Sequence, residues 1–81
     1  MDGVAIEVEL FGTAGCPYTS EVREHLLWNR IEFIEYDVET DAAARARLLS
    51  LTGGRTAVPV LVEAGCVKEI GWRGRSCAIA T

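Results

Sequence analysis

An α/β fold of order β-α-β-α-β-β is what this 81-residue sequence predicts, and three patterns predict it. Val4, Ile6, Val8 and Leu10 alternate with Ala5, Glu7 and Glu9, the period-two signature of a strand. Two stretches, residues 20–29 and 42–51, carry the composition and boundaries of helices. Two short apolar runs, residues 58–62 and 67–70, close the pattern as a hairpin. Strand–helix–strand connections imply a parallel pair with a right-handed crossover, and the hairpin adds antiparallel strands.

The elements follow in order. The first strand runs to Phe11 and gives way to the small-residue turn Gly12-Thr13-Ala14-Gly15. The first helix starts at or just after Cys16 and places Val22, Leu26 and Trp28 among charged residues, with Leu27 widening the apolar face. Ile31-Glu32-Phe33-Ile34-Glu35-Tyr36 is rich in β-branched and aromatic residues and reads as the second strand. Thr40 or Asp41 can cap the second helix, and Gly53-Gly54 stops it. Ala64-Gly65 makes the turn between the last two strands. The closing segment, Gly71-Trp72-Arg73-Gly74-Arg75-Ser76-Cys77, has room for one short helical turn and not for a long helix. Val22, Leu26, Ile31 and Phe33 are expected in the core, Trp28 in the core or at its rim, and the acidic run Glu32, Glu35, Asp37 and Glu39 on a solvated edge.

Composition narrows the function classes. The length suits one small domain spanning residues 1–81, and 49% hydrophobic with 25% charged residues is globular rather than disordered. Net charge is −4 and Lys68 is the sole lysine, which argues against nucleic acid or an anionic membrane surface as partner. No apolar run reaches transmembrane length. Met1-Asp2-Gly3 lacks the basic start of a signal peptide, so the cytoplasm is the expected compartment and a monomer the expected state. The cysteine count, three, is odd, so at least one thiol is free or pairs with another molecule. Cys16, Cys66 and Cys77 lack zinc-site spacing, and no metal is expected.

Cys16 stands where a helix begins. The unpaired N–H groups and positive dipole end there favour an anion, so the thiol pKa is expected below that of free cysteine. Pro17 suits a first helical turn because it has no N–H to leave unpaired. Thr19, three residues on, is placed so that its hydroxyl can face the sulfur. His25 is two and a half turns away and too far to act as its base. Cys66 sits at the far hairpin and reads as an incidental surface thiol. Cys77 has two readings, a packing thiol or a resolving cysteine returned to Cys16 by the turn after the last strand. Trp72 likewise either walls a substrate groove or covers the core.

Cys16-Pro17-Tyr18-Thr19 after a strand, Gly54-Arg55-Thr56-Ala57-Val58-Pro59 about forty residues later, and Ile70-Gly71 resemble the Cys-Pro-Tyr-Cys, Arg-Thr-x-Val-Pro and Gly-Gly segments of glutaredoxin, over roughly residues 5 to 72. Thr19 combined with the Gly-Trp-x-Gly-x-x-Cys segment is also similar to a bacterial glutaredoxin-like group with selenocysteine-containing members, in which selenium stands at the position of Cys16. The resemblance implies a thioredoxin-like (glutaredoxin) fold with a truncated C-terminal helix or tail, and thiol–disulfide oxidoreductase activity. It implies Cys16 as nucleophile, a cis Val58–Pro59 bond, and Val58 backbone groups that pair with an extended cysteinyl substrate. Pro17, Tyr18 and Thr19 would line the thiol site, Arg55 would attract a substrate carboxylate, and Gly71 and Trp72 would complete the substrate surface. No tightly bound cofactor is implied; glutathione is the implied co-substrate, and glutathione or protein disulfides the implied partners.

Three departures bear on these expectations. Thr19 replaces the second active-site cysteine, Thr13 stands where many glutaredoxins carry a lysine, and Arg73 and Arg75 follow Gly71 where aspartates usually hold the glutathione amino group. Beside the oxidoreductase reading stand two others: a monothiol glutaredoxin bridging a [2Fe–2S] cluster, whose usual Cys-Gly-Phe-Ser motif differs from this one, and an electron donor fed by thioredoxin reductase for one dedicated partner.

Overall fold

A computed structural model describes residues 6–79. Six strands and two helices follow one another as β1 (Val8–Gly12), α1 (Pro17–Trp28), β2 (Phe33–Asp37), α2 (Ala42–Thr52), β3 (Ala57–Val58), β4 (Val60–Glu63), β5 (Cys66–Ile70) and β6 (Cys77–Ala78). Four of the strands form one sheet in the order β2-β1-β4-β5. The β1–β2 pair is parallel, as the intervening helix requires, and the β1–β4 and β4–β5 pairs are antiparallel. Val4 and Ala5 of the expected first strand lie outside the described residues.

Strand β1 is central, and consecutive side chains point to opposite faces. Leu10 packs with Val22 and Leu26 of α1, while Phe11 belongs to the cluster that holds Ala44 and Leu48 of α2. The helices therefore cover opposite faces of the sheet. Asp41 caps α2, its Oδ1 accepting the Ala44 N–H at 3.0 Å, and Gly53 ends it in a left-handed conformation with φ 71°. Two ion pairs fasten the helices to the sheet. Arg47 of α2 grips the Glu9 carboxylate, which also accepts from Tyr36 Oη at 3.1 Å. Arg23 of α1 grips Glu35 of β2 at 2.7 and 2.6 Å. The Arg47 guanidinium holds the Glu9 carboxyl below the usual carboxylate range against a smaller opposing effect of burial.

Four expectations are corrected. Trp28 is 88% exposed and Leu27 60%: the buried stripe of α1 runs through Thr19, Val22 and Leu26, and a residue two positions after Leu26 lies about 200° around the helix from it. Ile31 is 37% exposed because it precedes β2 instead of belonging to it. The apolar run 58–62 is two strands, parted at Pro59, which has no N–H to give a ladder. The closing segment holds no helical turn. Arg73 and Gly74 have φ of 55° and 80°, values a right-handed helix excludes and a two-residue hairpin turn requires. Trp72 and Arg75 exchange both backbone hydrogen bonds, at 2.7 and 3.0 Å. The chain then continues as β6, antiparallel to β3.

Candidate active site

The site is built where the carboxyl end of β1, the start of α1 and the β3–β6 pair meet. The loop after β1 is packed from within: Thr19 is fully buried, its hydroxyl accepting the Thr13 N–H at 3.4 Å. Gly12 lies against the same threonine, and a Cβ there would stand 2.6 Å from Thr19 Oγ1. These contacts fix Cys16 as the N-cap residue of α1 with extended backbone, φ −91° and ψ 116°. Its carbonyl accepts the Thr19 and Ser20 N–H groups at 3.1 and 3.4 Å, and Pro17 opens the helix.

Cys16 is disulfide-bonded to Cys77, 61 positions later in the sequence, with Cα atoms 6.0 Å apart. Cys16 is 2% exposed, and its Sγ lies 4.0 Å from the Val58 carbonyl. The Val58–Pro59 bond is cis, in agreement with the sequence expectation. Val58 and Pro59 are both buried, and it is the Val58 carbonyl that lies against the sulfur.

The edge of β3 is covered by the chain itself. Val58 is in register with Cys77 and Ala57 with Ala78, and the Ile79 N–H donates to the Thr56 carbonyl at 2.8 Å. Ser76 and Ala78 are exposed, Cys77 is half-buried and Ile79 is 5% exposed. Ile79 joins the same core cluster as Phe11, Leu48, Val58 and Val60.

Gly71 makes this return possible. Its φ is 85°, its N–H donates to the Pro59 carbonyl at 2.7 Å, and a Cβ would meet the Arg75 carbonyl at 2.7 Å. The glycine expected on a substrate surface thus sits in the bend that carries Cys77 back to Cys16. Tyr18 packs on the core cluster that includes Cys16 and, with Glu21, Trp72, Arg73 and Arg75, lines a cleft. Arg55 is exposed in a shallow groove with Thr56, Ser76 and Ala78. Trp72 packs against the Leu10–Val22–Leu26 cluster, its ring 5.1 Å from that of His25 and 5.3 Å from the Arg73 guanidinium. Cys66 is a free, exposed thiol at the β4–β5 hairpin.

Three contributors escaped the reading of the sequence: Gly12, Thr56 and Ile79. The signal for Ile79 was present, since an apolar residue two places after Cys77 shares its face in an extended strand. The arrangement holds a sulfur at the start of a helix, a second sulfur bonded to it, and a strand edge on which an extended peptide is already laid. It is suited to exchanging disulfides.

Comparison with known proteins agrees with this geometry. The glutaredoxin family model matches residues 8–65. A probable glutaredoxin from Synechocystis sp. (strain ATCC 27184 / PCC 6803 / Kazusa) is 33% identical over 58 residues, 72% of this chain and 53% of that protein. The chain thus spans about half the length of the curated relative it matches. Among solved structures, the thioredoxin-like protein BC3987 aligns with a TM-score of 0.68 at 36% identity over 75% of this chain and 82% of that one. A point-mutant form of it aligns at 0.74 with 34% identity over 83% of each. A glutaredoxin from Archaeoglobus fulgidus shares the fold, with a TM-score of 0.73 at 20% identity over 84% of this chain and 77% of that one.

Proposed function

The chain belongs to the glutaredoxin family, and from that premise we propose that it is a thiol–disulfide oxidoreductase working through Cys16 and Cys77. The observation that carries the proposal is the bond between these two cysteines at the N-terminus of α1. In the reduced protein the helix start stabilises the Cys16 thiolate. That thiolate attacks a substrate disulfide, forms a Cys16 mixed disulfide and expels the other half as a thiolate. The Cys77 thiolate then attacks Cys16 Sγ, closes the intramolecular disulfide and releases the second substrate thiol. Two electrons pass from the dithiol to the substrate, and an external thiol restores the pair.

Cys77 therefore takes the place of the cysteine that Thr19 replaces. Val58 and Pro59 offer the backbone edge and wall for the substrate cysteine, Pro17 and Tyr18 flank the sulfur, and Arg55 stands exposed where it can pair with a substrate carboxylate. Protein disulfides and glutathione mixed disulfides are the substrate class, with glutathione as one co-substrate and no resident cofactor. The paired cysteines also favour a second reading, an electron donor reduced by thioredoxin reductase, because such carriers need two thiols. Turnover with thioredoxin reductase and none with glutathione identifies it.

The test is intact mass and non-reducing peptide mapping after oxidised glutathione is added to the reduced protein. Loss of two hydrogens with a Cys16–Cys77 linked peptide is expected. Cys77→Ser should instead retain glutathione on Cys16, and Cys16→Ser should abolish turnover. Retained turnover in Cys16→Ser refutes the proposal.

A further inference from the structure

The chain lays its own cysteine on the β3 edge, and the residues around that cysteine describe what else fits there. Segment 76–79 alternates: Ser76 and Ala78 are exposed, Cys77 and Ile79 turn inward. Cys77 meets Cys16, and two residues on, the Ile79 side chain is buried in the apolar cluster that holds Phe11, Leu48, Val58 and Val60, so that its removal would leave an apolar cavity there. The Ile79 N–H to Thr56 carbonyl bond, 2.8 Å, holds the strand in that register. Once the Cys16–Cys77 bond is reduced, the contacts that hold this segment among the described residues are two residues of strand pairing, one further hydrogen bond, the buried Ile79 side chain and the half-buried Cys77.

We infer that the β3 edge and the cavity filled by Ile79 form a binding site for extended protein segments of the pattern cysteine, any residue, aliphatic residue. Segment 76–79 is the internal copy of that substrate. The inference rests on Cys16 being the nucleophile and adds the partner's sequence. The position after the cysteine is open, since Ala78 faces solvent. The position two after it is selective, because the cavity is apolar and a polar side chain there would be buried without a partner. Glutathione ends one residue after its cysteine and has no side chain to place in the cavity, so a protein segment is recognised over the tripeptide.

The cycle follows from mutual exclusion, since partner and segment 76–79 use the same backbone groups and the same cavity. Cys16 thiolate attacks the partner's cysteine sulfur in a disulfide, forming the mixed disulfide and expelling the other sulfur as thiolate. The partner strand then yields the edge to segment 76–79. Cys77 thiolate attacks Cys16 Sγ and expels the partner's cysteine thiolate. The partner disulfide is thereby reduced to two thiols and the Cys16–Cys77 pair oxidised.

The experiment uses the full chain as Cys77→Ser, reduced, so that an adduct on Cys16 has no internal resolving thiol. Three peptides, Arg-Ser-Cys-Ala-Ile-Ala and its Gly and Asn versions at the isoleucine, are activated as thionitrobenzoate mixed disulfides. Release of thionitrobenzoate is followed and each rate divided by that with a small free thiol. The Ile peptide is expected to react on the order of tenfold faster than the Asn peptide, the size of effect that burying an aliphatic side chain produces, with Gly between. Equal normalised rates, while Cys16 still reacts with the symmetrical nitrobenzoate disulfide, overturn the cavity's role and leave the nucleophile standing. A Cys16 inert even to that small disulfide overturns the reading on which the inference rests.

Discussion

The two sheets of this protein are held by different means. In the larger one, β1 pairs along five residues with β2 and four with β4, and both of its faces are buried under helices. In the smaller, β3 and β6 pair over two residues, and a disulfide completes what the short ladder leaves weak. The frame owes its stability to burial, which no redox change removes. The β3–β6 pair owes its closure to a bond that the proposed chemistry makes and breaks. Placing the reactive cysteine at the seam between them lets one region stay rigid while the other opens.

The largest expected effect strikes the frame. Leu10→Ala removes a fully buried side chain packed with Val22 and Leu26, in the cluster that holds no residue of β3 or β6. It should cost about 3–5 kcal/mol, close to the whole stability of a small domain. Urea denaturation should show that loss in the oxidised and reduced protein alike; a loss confined to one state would mean that the frame and the β3–β6 pair are not separate.

Next in size is removal of the covalent closure. Cys77→Ser should lower stability under non-reducing conditions by about 2–4 kcal/mol, the usual range for a disulfide cross-link. It should change little under reducing conditions. Amide exchange sharpens the comparison: the Ile79 N–H should lose protection in the variant, whereas the amides of Val8–Gly12 should follow global stability alone. Equal loss of protection in both regions would make the molecule one cooperative unit.

The smallest effect concerns the ion pair that ties α2 to β1. The Arg47 hydrogen bonds lower the Glu9 pKa, so the folded protein binds that proton less readily than the unfolded chain. The stabilisation is present above the ordinary glutamate pKa and is lost as pH falls through the lowered one. Arg47 is 44% exposed, so the contribution is at most about 1 kcal/mol. Glu9→Gln should lower stability at pH 7 by about that amount and flatten the acid side of the stability–pH curve relative to the unsubstituted protein. Parallel curves would show that the pair contributes nothing to stability.

Much of the fold was legible because its signals are local. Asp41 and Gly53 bound α2 where cap chemistry placed them, and Cys16-Pro17 opens α1. The Ala64-Gly65 turn joins β4 and β5, and it brings Glu63 opposite Cys66. Trp28 was misjudged because hydrophobicity was counted without its angle on the helix, and Ile31 because β2 starts later than its composition suggests. The closing strand was missed for a different reason. Two residues carry no periodicity, and glycines and arginines precede them.

By itself the sequence determined the helix start at Cys16-Pro17, the order of the first two strands and two helices, the Ala64-Gly65 turn, and a closing segment too short for a long helix. Each of these follows from interactions between near neighbours in the chain, such as caps, turns and alternation. Only the tertiary structure decided that Cys77 meets Cys16, that β6 takes the β3 edge, and that Ile79 enters the core. Those contacts join residues far apart in sequence, and they exist because Gly71 bends the chain where any side chain would strike the Arg75 carbonyl. Local pattern shows that such a bend is allowed; the space left beside Val58 dictates where the chain goes after it.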